Sequence, residues 1–142
     1  MKQYETMTVP EIKALPVGEW VDDEAHLYLW TTTNFLPRAF SVLEAWGFVY
    51  VTNLVWAKPQ LGMGNYFRVG HEHVLFGRRG KLRTKSRRLT TVFTADRQRH
   101  SAKPELFFDL VEEASEPPYL DMFSRGQARL NGLWDTWGLE AQ

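Results

Sequence analysis

Apolar side chains recur along the chain at two spacings, and each predicts a different element. Leu36, Phe40, Leu43 and Trp46 keep the interval of one helix face, and Gly47 stands where a helix commonly ends. The same interval sets Leu106, Phe107, Leu110, Val111 and Ala114 on the apolar face of another helix. Pro104 suits the first position of that helix, because its missing N–H would have had no partner there. Compact runs of β-branched and aromatic residues predict strands at Ala25–Trp30, Phe48–Lys58, Glu72–Gly77 and Tyr119–Ser124, and Leu89–Ala95 reads as extended. "TVPE" at Thr8–Glu11 has the form of a capping box, so a short helix is expected to run to about Leu15 and stop at Pro16. "GLWDTWG" closes the chain.

Strands that alternate with helices predict an α/β layered fold with a largely parallel sheet. With no internal repeat and no linker composition, residues 1–142 are expected to form a single domain. Ligands of such sheets gather outside the carboxyl ends of the strands. Lys58, the Arg78 region, the segment before Lys103, and Ser124–Arg125 all follow expected strands. Lys103 is the odd residue among them. It stands at or beside the cap of a helix, where a cation faces the positive end of the dipole and supplies no oxygen to the free N–H groups. Two readings stay open: a solvated surface lysine, and a cation kept there for a ligand.

Composition narrows the classes. Hydrophobic residues make up 44% and charged residues 24%, as in soluble globular proteins. No apolar run approaches the ~20 residues of a membrane span, and no signal-peptide pattern opens the sequence. The absence of cysteine excludes disulfides, thiolate nucleophiles and Cys-ligated zinc, and fits a cytoplasmic protein. A net charge of zero argues against a uniformly basic coat, but the distribution is uneven. Nine of the 17 Lys and Arg lie between Arg78 and Arg99, with Asp96 the one acid. The densest part, "RRGKLRTKSRR" (Arg78–Arg88), cannot be a core helix and is expected to be a solvated, mobile loop or hairpin tip. It reads either as an exposed loop without a partner or as a contact to nucleic-acid phosphates.

Weaker motifs point to structure rather than chemistry. "HEH" puts His71 and His73 on one face of a strand, as two metal ligands might stand, but no third ligand is evident and no metal is expected. "GMGNYFRVG" fails the G-x-G-x-x-G spacing and opens no helix, so it does not read as a phosphate cradle. "EPPY" (Glu116–Tyr119) reads as a turn before a strand.

Five stretches taken together carry a resemblance: "YETMTVPEIKALP", "LYLWTTTNFLPRAFSVLEAWGFVYVTNLVWAKP", "GNYFRVGHEHVLFGRRG", "HSAKPELFFDLVEE" and "YLDMFSRGQARLNGLWDTWG". In this order and spacing the chain resembles the S-adenosylmethionine-dependent N6-adenine methyltransferases of the METTL type, more like their bacterial or phage branch. The resemblance implies a Rossmann-like methyltransferase sheet, S-adenosylmethionine as donor, and adenine in DNA (or less readily RNA) as acceptor. It assigns Tyr4, Trp30, Ser101 and Lys103 to the catalytic site. It also assigns Lys103, Asp121, Phe123, Arg125 and Glu140 to the cofactor. Lys58, Arg68, Arg83, Lys85, Arg87 and Arg88 are the expected nucleic-acid contacts, and a homo- or heterodimer is the expected assembly.

Two departures from the pattern accompany it. The family's Asp-Pro-Pro-Trp, whose acceptor oxygens hold the exocyclic amine, occurs nowhere in the 142 residues. The resemblance places it before Tyr4, so the first catalytic strand is expected to be missing. Leu139, in "GLE", stands where the family has an amide that reads the adenosine end, and a leucine cannot make that hydrogen bond. The alternative function is therefore a non-catalytic relative that binds nucleic acid or scaffolds a partner, and a third is a truncated gene product.

Overall fold

The computed structural model describes residues 7–64, 66–96, 103–123, 129 and 131–138. Helices α1 (Val9–Lys13) and α2 (Val17–Trp20) open the described chain. Strand β1 (Ala25–Thr31), helix α3 (Leu36–Ala45), and strands β2 (Val49–Ala57), β3 (His71–Arg79) and β4 (Val92–Thr94) follow. Helix α4 (Glu105–Ala114) and strands β5 (Tyr119–Met122) and β6 (Trp134–Trp137) complete it.

Local chemistry sets most of the ends. Thr8 Oγ1 accepts from the Glu11 N–H at 3.2 Å while Glu11 Oε1 accepts from the Thr8 N–H at 2.8 Å, the reciprocal bonds that open α1. Helix α3 closes on Gly47, whose φ of 88° is open to a residue without a Cβ. The Gly47 and Phe48 N–H groups then reach back to the Glu44 and Leu43 carbonyls. In α4 the cap is Pro104, with extended backbone, and the helix begins at Glu105, so Lys103 lies one residue before the cap. The expected apolar face also changes: Leu106 is exposed, and Phe108 joins Phe107, Leu110, Val111 and Ala114 in the interior. Two elements carried no prior assignment, the single turn α2 after Pro16 and the strand β6 within "GLWDTWG".

The chain divides into two compact units. One comprises Thr8–Arg83 and Thr90–Asp96 and holds a four-stranded sheet in the order β1-β3-β2-β4. Strand β3 runs antiparallel to both β1 and β2, and β4 runs parallel to β2. The expectation of a largely parallel sheet is corrected here: the sheet is mixed. Among the described residues of Lys58–Gly70 there is no helix to carry the chain over the sheet, and β3 returns beside β2 in the opposite direction. Leu43 of α3 and Val74 and Leu75 of β3 are fully buried in this unit, and Trp46 Nε1 donates to the Ile12 carbonyl at 3.0 Å.

The other unit comprises Thr84–Leu89 and Arg97–Gln142, with Met1–Met7. Its described residues include α4 and the parallel pair β5-β6, in which Asp121 lies opposite Thr136. Phe108 meets Trp134 edge to face at 5.1 Å, and Tyr119 lies 4.6 Å from the same indole. "EPPY" forms the approach to β5, with a cis peptide between Pro117 and Pro118.

Candidate active site

Three strands of the four-stranded sheet, β1, β2 and β4, run in one direction, and their carboxyl ends collect aromatic and charged groups. Trp30, near the end of β1, packs edge-on against Trp56 of β2 at 5.7 Å and Phe93 of β4 at 6.4 Å. The register explains this meeting, because Trp30 pairs with Val74, and Val74, Leu54 and Trp56 share one face of the pleat. Trp56 Nε1 donates to the Ala95 carbonyl at 2.7 Å, which fixes its indole at this edge. Lys58 follows directly. Its ammonium donates to Glu72 Oε2 at 3.1 Å and sits 5.5 Å from the Trp56 ring centre, with 10% of the side chain exposed. Lys58, expected as a nucleic-acid contact, has its ammonium paired with the Glu72 carboxylate.

On the opposite face of β3 stand His71 and His73. Their Nε2 atoms are 3.1 Å apart, and the second ring nitrogen of His73 lies 2.9 Å from Asn53 Nδ2. Burial, with the neighbouring His71 adding to it, pushes His73 below its ordinary value. The two rings can share one proton between their Nε2 atoms. Among the described residues no group of three or more His, Cys, Asp or Glu gathers to hold a metal ion.

The second constellation belongs to the unit of α4 and β5. Lys103 Nζ donates to Asp121 Oδ1 at 2.5 Å and to the Met122 carbonyl at 3.3 Å. Asp121 is buried at the carboxyl end of β5, and an isolated carboxylate there would carry a large desolvation cost. Lys103 removes that cost. It stands one residue before the cap, and its charge is matched by the Asp121 carboxylate. Phe123, the next residue but one after Asp121, has a φ of 54°, a left-handed conformation that L side chains adopt at a cost of roughly 1–2 kcal/mol. It ends β5 and presents the ring edge to Trp137 at 5.2 Å and 89°.

The basic stretch is partly anchored. Ser86 Oγ donates to Glu113 Oε2 at 3.0 Å, the Arg88 guanidinium pairs with Glu113 at 2.7 Å, and the Lys85 N–H donates to the Ala114 carbonyl at 2.8 Å. The expected mobile loop is thus an irregular segment tied to the end of α4, where free helix carbonyls accept donors. Arg83, Lys85 and Arg87 keep exposed side chains, as does Arg68 in the β2–β3 connection. Tyr4, Ser101, Arg125 and Glu140 lie outside the described residues, as does Leu139.

Sequence reasoning named Lys103 and Asp121 separately and did not join them. It missed Glu72 as the partner of Lys58 and Trp56 as the partner of Trp30. Reading "HEH" as an antiparallel return beside "LVWAK" would have set Glu72 on the face of Trp56 and Lys58.

One unit carries a buried charged pair at the end of a strand, and the other carries an indole cluster at the carboxyl ends of its strands, the places where ligands of α/β proteins gather. The chain belongs to the MT-A70 family, whose match covers residues 1–140. It is 32% identical over 142 residues to the type II methyltransferase M.MunI of Mycoplasma sp., covering 97% of this chain and 60% of that protein. It is 30% identical over 121 residues to an N(6)-adenosine-methyltransferase MT-A70-like protein of Drosophila melanogaster, covering 79% of this chain and 20% of that one. With the human N(6)-adenosine-methyltransferase catalytic subunit METTL3 the identity is 27% over 121 residues, 79% of this chain and 21% of that protein. The chain therefore spans three-fifths or less of the length of these relatives.

Proposed function

We propose that this chain serves the transfer of a methyl group from S-adenosylmethionine to N6 of adenine in nucleic acid, with DNA as the acceptor. The observation that carries this reading is the Lys103–Asp121 pair at the end of β5, in a chain of the MT-A70 family whose relatives include M.MunI. The donor supplies an activated methyl group on a sulfonium and carries a zwitterionic amino-acid tail. The residues present fit such a group. A lysine ammonium has three donors, so Lys103 keeps one beyond its bonds to Asp121 and Met122 for a carboxylate. Asp121 uses one oxygen for Lys103, and the other can accept from an ammonium or hydroxyl. Phe123 supplies a wall, and Arg125 and Glu140 complete the proposed donor contacts.

On the acceptor side, adenine must leave the stack and be held by aromatic packing and by its edge. Trp30 is proposed for that packing, and Tyr4 and Ser101 are proposed to serve the same acceptor. The direction shared by β1, β2 and β4, with β3 reversed, supports a Rossmann-like methyltransferase sheet. The family match over residues 1–140 supports one methyltransferase domain. A cytoplasmic setting and a homo- or heterodimer belong to the same proposal.

No Asp-Pro-Pro-Trp occurs among the 142 residues, so the group assigned to the exocyclic amine is not in this sequence. Positioning alone lowers a barrier but does not replace that group. We expect the 142-residue chain to bind S-adenosylmethionine saturably and to methylate adenine slowly at best, with DNA favoured over RNA. Equilibrium dialysis with labelled donor and a labelled-methyl assay on both nucleic acids test this. Failure to bind the donor overturns the reading, and steady multiple turnovers overturn the expectation of slow transfer. Binding of donor and nucleic acid with no transfer at all selects the non-catalytic alternative.

A further inference from the structure

The connection from β2 to β3 leaves the same sheet edge as Trp30 and Trp56, and it is built to hold its tip outward. The Lys58 N–H donates to the Gly70 carbonyl at 2.8 Å and the Gly62 N–H to the Val69 carbonyl at 2.6 Å, so the two strands are clamped beyond the sheet. At the tip Gly64 lies against the backbone of Phe67, where a Cβ would overlap the carbonyl oxygen. Only glycine permits that approach. The turn directs three large apolar side chains into solvent: Met63 is 93% exposed, Tyr66 95% and Phe67 87%. Arg68 is exposed beside them, and Lys58–Gly70 contains no acidic residue. Exposing three such side chains on a clamped tip loses the burial that ordinarily accompanies an ordered apolar residue, so a ligand is the physical reason to keep them.

We propose that the tip formed by Met63, Tyr66 and Phe67 is a wedge that enters duplex DNA beside the target adenine and fills the gap left when that base is extruded. The inference rests on the adenine-methylating function and adds to it the device that opens the stack. Apolar and aromatic side chains inserted between base steps are a known means of unstacking, and extrusion of a paired base leaves a hole that an aromatic ring matches in thickness. Arg68 supplies the adjoining phosphate contact, and the absence of acids in the connection suits a polyanion. A protein partner fits less well, because three side chains offer less than the about 800 Å² per partner that a stable interface buries.

The test compares the parent chain with the double variant Y66S/F67S and, separately, with Gly64→Ala, which distorts the turn while leaving both rings. Two duplexes serve as probes. In one, 2-aminopurine replaces an adenine in an intact pair; in the other the 2-aminopurine faces an abasic site and is already unpaired. Y66S/F67S should melt like the parent, since the rings are exposed, while Gly64→Ala should melt somewhat lower because its Cβ meets the Phe67 carbonyl, and both are assayed well below their melting points. Both should bind the intact duplex about tenfold more weakly, the scale of a lost base-aromatic stack. They should also lose the fluorescence rise that reports unstacking, yet stay within about threefold of the parent on the pre-opened duplex, where no pair must be broken. Equal loss on both duplexes, or none on either, overturns the wedge. So does an unchanged DNA affinity accompanied by lost self-association in sedimentation, which would make the tip a protein contact. If the parent binds the donor and both duplexes while the variants match it, only the wedge falls. If the parent binds neither donor nor DNA, the proposed function falls with it.

Discussion

Lys103 occupies a position that helix chemistry does not reward, and its 2.5 Å contact with Asp121 accounts for it. With 19% of the lysine and 9% of the aspartate side chain exposed, water screens the pair little. A rule built on capping alone would make Lys103→Ser stabilising, because serine is a better cap and removes a cation from the dipole. The geometry reverses that sign. The cap is Pro104, so a serine at 103 has no cap to make, and Asp121 would be left buried without its counter-charge. Lys103→Ser should therefore lower stability by about 1.5–3 kcal/mol, the worth of a hydrogen bond to a charged group. It should also weaken S-adenosylmethionine binding. Melting curves and calorimetric titration of parent and variant read the two effects, and a variant that melts above the parent contradicts the account.

At the scale of one helix, α4 holds its surroundings through its polar face. Glu112 accepts from Trp134 Nε1 at 2.6 Å and from Asn131 Nδ2 at 3.0 Å, and Arg129 lies against Glu112, Glu105 and Asp109. The Trp134 hydrogen bond, aided by Asn131 and Arg129 and opposed by burial, holds the Glu112 carboxyl below its ordinary value of 4.5. A carboxylate depressed in the folded state adds stability that is fully present above the unfolded value and is lost as pH falls through the folded one. Stability should thus decline as pH drops from about 4.5. In Glu112→Gln this contribution is gone: the variant should be less stable at pH 7 by about 1.5 kcal/mol and should converge on the parent in acid. Denaturation curves across pH check this, and parallel profiles would contradict it. The apolar face of α4 was legible in the spacing of Phe107, Leu110, Val111 and Ala114. Leu106 and Phe108 exchanged roles because a stripe a few residues wide leaves its two borders to be settled by what packs there. Here Phe108 has Trp134.

For the whole molecule the question is where a neutral chain keeps its positive charge. Arg78–Arg88 holds seven cations, and the structure sorts those beyond Arg79 into anchored and free. Arg88 is paired with Glu113, while Arg83, Lys85 and Arg87 extend exposed side chains. Replacing those three by alanine should weaken nucleic-acid binding across all sequences and flatten the dependence on log salt by up to ~0.9 for each lost contact on duplex DNA. Arg88→Ala should change the slope less and cost about 0–1 kcal/mol of stability, as an exposed ion pair does. Fluorescence titrations over a salt series measure the slopes. An unchanged slope in the triple variant would return the stretch to a solvated segment with a structural anchor.

Most helix and strand positions, α2 and β6 apart, were determined by the sequence alone, because spacing, caps and breakers act within a few residues of chain. Thr8, Glu11, Gly47, the β-branched run of β2 and the helical stripe of α3 carry their own instructions. So did the family resemblance, since the order and spacing of "LYLWTT", "HEHVLFG", "AKPE" and "LDMFSR" survive without any knowledge of contacts. The direction of β3 was decided elsewhere: it depends on the chain returning beside β2 instead of crossing the sheet, a choice that hydrophobic pattern does not encode. The same holds for the partners of Lys58, Lys103 and Arg88. Each charge is quenched by a carboxylate 14 to 25 residues away, and only the register and packing of the tertiary structure bring such residues within bonding distance.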